Sequence, residues 1–172
     1  MLIITAVGPD KPGMAHAVAQ ILFEGGCNIE DTTMTRLSGQ FSMILAVTPP
    51  QNVSLDELTA RLEALRAQNG LVVDVSEVSK AEIAPQSAPR YLLTAYGPES
   101  VGLLAKLTGI LTTVEVNITD VQTRVAQKGT VYVMLLELEL PAALTPEKLK
   151  IELQNGAGDL QISLREVDEE TL

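Results

Sequence analysis

The stretch GPDKPG, residues 8–13, recurs as GPESVG at residues 97–102, an offset of 89 residues. At the same offset, the surrounding segment ITAVGPDKPG aligns with LTAYGPESVG. Further on, NIED at residues 28–31 aligns without a gap with NITD at residues 117–120. One small chain therefore contains the same Gly-Pro-acid turn twice, each time followed by the same segment.

Downstream of these matches the alignment is expected to slip by a residue or two. Thr35-Arg36 then aligns with Thr123-Arg124, and Ser54 aligns with Thr145. Slips of this size are typical of turns, where insertions are tolerated. We interpret the chain as a tandem duplication of one fold.

Each copy is predicted to contain the same six elements. In the first, LIITAV (residues 2–7) has the branched apolar composition of a buried strand, and apolar residues then recur at helical spacing up to Phe23. Ser38-Gly39 predicts a hairpin. Ser54 begins a second helix as part of a capping box, Asn69-Gly70 ends that helix, and Thr145 is the predicted cap in the second copy. The order βαββαβ predicts an α+β fold of ferredoxin-like type, with four antiparallel strands and two helices on one face.

The repeat also predicts the domain boundaries. The first domain is expected over residues 1–78 and the second over residues 90–172, each close to the size of a small independent domain. Residues 79–89, SKAEIAPQSAP, have the composition of a linker.

The charge balance argues against direct binding of nucleic acid. The formal net charge is −10 and the isoelectric point is about 4.5, with no run of lysine or arginine. Binding to phosphates needs clustered basic side chains, which release counterions. Aromatic residues make up 3% of the chain, too few for the stacking surfaces of single-strand binders.

Cysteine content and hydropathy indicate a reducing compartment. Cys27 is the only cysteine, so no disulfide within the chain can form. The first ten residues lack the basic start of a signal peptide, and no stretch approaches the 18 or so apolar residues of a membrane span. The expected location is the cytoplasm, with no membrane partner.

The repeated turn has the features of a small-molecule site. Gly8 and Pro9 are expected to shape the turn, Gly8 by adopting a conformation closed to other residues. The helix after Gly13 presents unpaired N–H groups that suit a carboxylate. Fifteen residues after each second glycine comes an asparagine, Asn28 or Asn117, whose amide can both donate to and accept from a zwitterion. The alternative is that these residues are ordinary turn and strand boundaries.

These residues carry a family resemblance. GPDKPG followed by GGCNIEDTTMTRLSGQFSMILAV resembles the ACT domain, a βαββαβ module that senses small molecules. Two such units without a catalytic domain resemble the glycine cleavage system transcriptional repressor family. The resemblance implies an amino acid such as glycine or serine, bound between ACT units, and regulation through a separate DNA-binding protein.

The family's binding positions lie in the strand-to-helix loop and at the start of the second strand. In this sequence they are Asp10, Lys11, Pro12, Gly13, Asn28 and Ile29 in the first copy, and Glu99, Gly102, Asn117 and Ile118 in the second. The second copy has Ser100-Val101 where the first has Lys11-Pro12, so the first copy is expected to contribute more to binding.

No residue set predicts catalysis, a metal or a cofactor. His16 is the only histidine and is expected on a helix surface, while Cys27 is expected to be a small buried apolar side chain. Asp31 and Asp120 are single acids on strands and are interpreted as structural. We therefore expect a non-enzymatic, homodimeric regulator, and the alternatives are a structural pairing module without a ligand or, less favoured by the residues, an enzyme.

Overall fold

The computed structural model describes residues 1–79, 88–126 and 130–167. The chain divides into two compact units, Met1–Pro85 and Gln86–Leu172. Residues 80–87 of the expected linker lie outside the described residues. Each unit is described below by itself.

The first unit contains one four-stranded antiparallel sheet in its described residues. Its elements are β1 (Leu2–Pro9), α1 (Met14–Glu24), β2 (Asn28–Leu37), β3 (Gln40–Thr48), α2 (Leu55–Glu63), α3 (Leu65–Asn69) and β4 (Val72–Glu77). The strand order is β2-β3-β1-β4, so that β2 and β4 are the edge strands.

The second unit repeats this arrangement over its described residues. Its elements are β5 (Arg90–Pro98), α4 (Leu103–Thr113), β6 (Asn117–Ala126), β7 (Val131–Glu139), α5 (Pro146–Gly156) and β8 (Gln161–Glu166). The order β6-β7-β5-β8 is that of the first unit, and β6 occupies the same edge as β2. The predicted α+β, ferredoxin-like tandem fold is confirmed.

Buried and more exposed side chains alternate along the central strands, and the buried ones form the core of each unit. In β1, Leu2, Ile4 and Ala6 are buried, and every second residue of β3 is buried as well. These side chains pack with the apolar stripes of the helices, so one sheet face is covered and the other is open. The buried helix residues of the first unit are Met14, Val18, Leu22, Leu58, Leu62 and Leu65.

The predicted helix caps form. The Ser54 hydroxyl accepts a hydrogen bond from the Glu57 amide at 3.3 Å, and the Thr145 hydroxyl accepts one from the Lys148 amide at the same distance.

The second helix of the first unit, predicted as one segment, is instead interrupted at Ala64. Ala64 keeps helical torsion angles, so the interruption is local.

The hairpin between β2 and β3 is the tight turn that the sequence predicts. Ser38 and Gly39 both have positive φ angles, 50° and 77°. Positive φ at both central residues is the geometry of a type I′ turn, whose twist matches that of the strands. The turn fixes the register in which Leu37 lies opposite Gln40.

The structure corrects the alignment of the two copies after the asparagine. Thr35 lies opposite Ser42 in the first sheet, and Arg124 lies opposite Val133 at the same place in the second. The offset of 89 residues therefore continues to the end of the strand, and the expected slip of Arg36 to Arg124 is wrong.

The two extra residues of the second copy lie in the sequence between Ala126 and Val131, which are opposite each other at the ends of β6 and β7. Both strands also carry an irregularity at the same position, between Ile29 and Asp31 and between Ile118 and Asp120, which keeps them in step. The counterpart of Arg36 is consequently Val125.

Gly8 is required for a different reason from the one expected. It is not among the glycines with positive φ, and it lies inside β1. A Cβ atom at this position would lie 2.6 Å from the carbonyl oxygen of Gly70. The requirement is space for a neighbouring backbone rather than an unusual conformation.

Gly8→Ala is expected to lower the free energy of unfolding by about 1–3 kcal/mol, the usual cost of overpacking. Urea denaturation measures this, and Gly109→Ala is the matched control. A Cβ at Gly109, inside α4, would meet nothing within 4 Å, so alanine there should stabilise by about 0.5–1 kcal/mol. A Gly8→Ala protein as stable as the parent would show that the backbone can move aside.

Candidate functional site

The loop between β1 and α1 holds the first group of predicted site residues. Asp10, Lys11, Pro12 and Gly13 are all exposed. Gly13 has a φ of 93° and begins α1 without a side-chain cap, and a Cβ added there would meet nothing within 4 Å. Glycine is needed for its left-handed conformation, which leaves the start of the helix open.

The second unit builds the same loop. Gly102 has a φ of 87° and begins α4, again without a side-chain cap. In both units the residue after the Gly-Pro pair ties the loop to the hairpin. The Asp10 amide donates to the Gly39 carbonyl at 3.0 Å, and the Glu99 amide donates to the Thr130 carbonyl at 3.1 Å.

The two asparagines open β2 and β6, as the sequence predicts. Each side-chain amide already donates to a carboxylate. Asn28 donates to Glu30 at 2.9 Å, and Asn117 donates to Glu139 at 2.9 Å. The neighbours Ile29 and Ile118 differ in burial, since Ile29 is exposed and Ile118 is half-buried against the core of its unit.

Within one unit, the loop and the asparagine lie at opposite ends of the sheet. Pro9, at the loop end of β1, lies opposite Gln40, whereas Asn28 lies opposite Thr48 at the far end of the same strand β3. Eight residue steps separate these positions, or about 27 Å along a strand. One small amino acid cannot contact both groups of a single unit.

Arg36 contacts the predicted loop and was not among the residues that the sequence identified. Its guanidinium Nη1 lies 3.4 Å from Oδ2 of Asp10, so the pair joins β2 to the loop. Arg36 shares its face of the sheet with Met34, because both lie opposite core residues of β3. The alternation of side chains along a strand gives this placement once the register is known.

The edge strand β2 is unusually open. All ten of its residues are exposed, and among them Met34 is 57% exposed on the helix side of the sheet. An edge strand with exposed apolar side chains is a surface on which another strand can pair.

Two depressions, one at the end of α1 and one beside Asn117, can be compared with the predicted site residues. A groove at the end of α1 contains the ion pair of Arg61 with Glu24, and the Gln20 side chain, by its hydrogen bond, holds the pKa of Glu24 below its usual value. A cavity of about 310 Å³ lies beside Asn117 and is also lined by Glu115, Glu139 and apolar residues. The first already holds a paired cation, and the second includes a predicted site residue.

The single histidine and cysteine are placed much as expected. His16 is exposed on α1, which confirms the surface prediction. Cys27 packs against the core of the first unit but is only partly buried. Asp31 accepts a hydrogen bond from the Thr32 amide and Asp120 accepts one from the Gln122 side chain, so both have local structural contacts.

Partial burial raises the pKa of the Cys27 thiol. A raised pKa leaves less thiolate at neutral pH, and thiolate is the reactive form. We expect iodoacetamide to alkylate Cys27 more slowly in the folded chain than in urea at the same pH. Equal rates would show that the thiol is freely accessible.

Two further findings concern residues 1–79, 88–126 and 130–167. None of the helices there is long and apolar enough to cross a membrane. No group of three or more histidine, cysteine or acidic side chains there is arranged to hold a metal ion.

A family model matches the chain in both units. It describes the ACT domain, and it matches residues 1–76 and residues 90–166. The two matches coincide with the two sheets described above.

Relatives of known sequence fall into two groups. The glycine cleavage system transcriptional repressor of Escherichia coli is 26% identical over 124 residues, which cover 72% of this chain and 64% of the repressor. The match therefore spans less than two thirds of that relative's length. A UPF0237 protein of Methanococcus maripaludis is 35% identical over 75 residues, which cover 43% of this chain and 83% of that protein.

Two solved structures share the fold over nearly the whole chain. An unknown protein from Galdieria sulphuraria has a TM-score of 0.80 at 23% identity, covering 97% of this chain and 98% of its own. A protein assigned to the glycine cleavage system transcriptional repressors has a TM-score of 0.76 at 20% identity, covering 98% and 97%. At these identities the likeness concerns the fold alone.

Proposed function

This chain belongs to the ACT domain family, and we propose that it is a non-enzymatic regulator that binds a small amino acid and acts through a protein partner. The observation that carries the proposal is the same open loop at the start of a helix in both units, with Gly13 and Gly102 in left-handed conformation. Exposed helix starts favour carboxylates.

The regulatory role is supported by the relative from Escherichia coli, whose name describes a transcriptional repressor of the glycine cleavage system. We propose a similar role here, with glycine or a serine-like amino acid as the ligand. The net charge of −10 disfavours direct contact with DNA, so a DNA-binding regulator protein would complete the system. The chain would have to share a compartment with this DNA-binding partner. We propose that this compartment is the cytoplasm.

We place the binding site between two copies of the chain. If two β2 strands pair antiparallel, the start of one lies beside the end of the other. Asn28 of one copy would then approach the hairpin end of the other, where Asp10 is tied to Gly39. This pairing overcomes the separation of about 27 Å within a unit and makes a homodimer part of the proposal.

A calorimetric screen of the common amino acids against the full-length chain tests the proposed function. We expect saturable binding of glycine or L-serine and no comparable heat from large apolar amino acids. The absence of binding by every amino acid, with the protein folded by circular dichroism, would contradict the proposal.

The same acidic chain is expected not to bind duplex DNA at physiological salt, because its surface repels phosphate. A gel-shift titration with the purified protein measures this. A submicromolar affinity that weakens as salt is added would contradict the prediction and the need for a protein partner.

The alternative function is a structural pairing module without a ligand. It is favoured by one observation, the complete exposure of β2 at a sheet edge. On this alternative the protein dimerises but the amino-acid screen gives no binding, so the two experiments separate the two functions.

A further inference from the structure

We propose that Asp10 and Arg36 together recognise the two charges of an α-amino acid. Arg36 would bind the carboxylate and Asp10 the ammonium group. The inference rests on the proposed function, since it describes how the first unit would hold the same ligand. It adds a residue, Arg36, that neither the family motif nor the sequence alignment identified.

The chemistry of the pair matches that of a zwitterion. The guanidinium and the carboxylate are 3.4 Å apart, so a cation and an anion are presented side by side. An α-amino acid carries its ammonium and carboxylate groups on the same carbon atom, so it can contact Asp10 and Arg36 at the same time. Arginine also offers a rigid fork of N–H donors suited to a carboxylate, and here only Nη1 is engaged with Asp10.

The existing ion pair is easily exchanged for a ligand. The Arg36 side chain is 72% exposed and that of Asp10 is 32% exposed. Exposed ion pairs contribute little to stability, since water screens them and both side chains lose freedom. The ion pair therefore keeps the guanidinium and the carboxylate near the loop, and a ligand can replace it at little cost in stability.

The backbones that carry the two groups are fixed. The Asp10 amide donates to the Gly39 carbonyl at 3.0 Å. Gly39 belongs to the tight turn that follows the end of β2 at Leu37. The loop and the end of β2 are thus held together, and the side chains meet without a rearrangement of the sheet.

The second unit provides an internal comparison. It keeps the acid, as Glu99, and it keeps the backbone tie, from Glu99 to Thr130 at 3.1 Å. At the position of Arg36 it has Val125, which cannot bind a carboxylate. The nearby Arg124 lies one residue earlier and points to the opposite face of the sheet, because successive residues of a strand alternate. The first unit alone therefore carries the arginine of the pair.

The test compares glycine with two analogues that each lack one charge, glycinamide without the carboxylate and N-acetylglycine without the ammonium group. Calorimetric titrations use the full-length protein and the variants Arg36→Val, Arg36→Lys and Arg124→Val. Arg36→Val introduces the residue that the second unit has at this position. Arg124→Val removes an arginine of the second unit that lies on the other face of its own sheet. Thermal melts check that all variants remain folded.

We expect the parent to bind glycine more tightly than either analogue. Arg36→Val should weaken glycine binding by about 10- to 100-fold, the usual range for losing a hydrogen-bonded charge partner. It should also remove the preference for glycine over glycinamide, which a merely structural role would leave intact. Arg36→Lys should restore part of the affinity, and Arg124→Val should bind as the parent does.

Two results would overturn the inference alone: glycine affinity unchanged in Arg36→Val, or equal binding of glycine and glycinamide by the parent. If the parent gives no heat with glycine or with L-serine, the inference falls together with the proposed function. The two failures are therefore distinguishable by the behaviour of the parent protein.

Discussion

Replacement of Met34 by aspartate is expected to convert the proposed homodimer largely to monomers. Met34 lies on the edge strand β2 and is 57% exposed in the single chain. If two β2 strands pair, its side chain becomes buried, and burial of a methionine stabilises by about 1.5–3 kcal/mol. A two-fold interface contains the substitution twice, and each copy adds a negative charge. We expect the dimer to weaken by about 100-fold or more.

Sedimentation velocity over a concentration series measures this change. Phe23→Asp is the matched control, since Phe23 is 75% exposed but lies on the helix α1 rather than on the edge strand. Both variants replace an exposed apolar side chain by the same acid, so neither should change the monomer's stability by much more than about 0.5 kcal/mol. A parent protein that is monomeric at tens of micromolar, or equal effects of both variants, would contradict pairing through β2.

Replacement of Asn28 by alanine is expected to weaken amino-acid binding by about 1–3 kcal/mol, the cost of leaving a desolvated polar ligand group without its partner. Asn28 must first leave Glu30, to which it donates at 2.9 Å. That contact is exposed and joins residues two apart, so its loss adds little.

Asn117→Ala is the internal control for Asn28→Ala. We expect a smaller loss, because the second copy has Ser100 in place of Lys11 and Val125 in place of Arg36. Titration calorimetry with glycine measures both variants. Equal losses, with the fold intact by circular dichroism, would indicate two equivalent sites, and no loss from either would favour the structural module.

Local patterns predicted most of the fold because the local and the tertiary preferences agree. The alternation in β1 and β3, the caps at Ser54 and Thr145 and the two-residue turn at Ser38-Gly39 are all present. Each depends on residues close in sequence, so a single chain was sufficient to place them.

The sequence was insufficient where the outcome depends on pairing between strands. The Thr-Arg dipeptide occurs in both copies and led to the wrong alignment of Arg36 with Arg124, because nothing local shows that the insertion lies after the end of β6. The reason for Gly8 was likewise misjudged, since its neighbour Gly70 belongs to a segment 62 residues away along the chain. The separation of Asn28 from the loop also follows only from the strand register.

The most direct test of a binding site shared between two copies of the chain is the effect of glycine on dimerisation. A ligand that contacts both copies must bind the dimer more tightly than the monomer, and by linkage it must strengthen the dimer by the same factor. Sedimentation equilibrium with and without saturating glycine measures the dimer dissociation constant. We predict a lower constant with glycine in the parent protein and a much smaller change in Asn28→Ala. A dissociation constant unaffected by glycine, in a protein that binds glycine by calorimetry, would contradict a site shared between two chains.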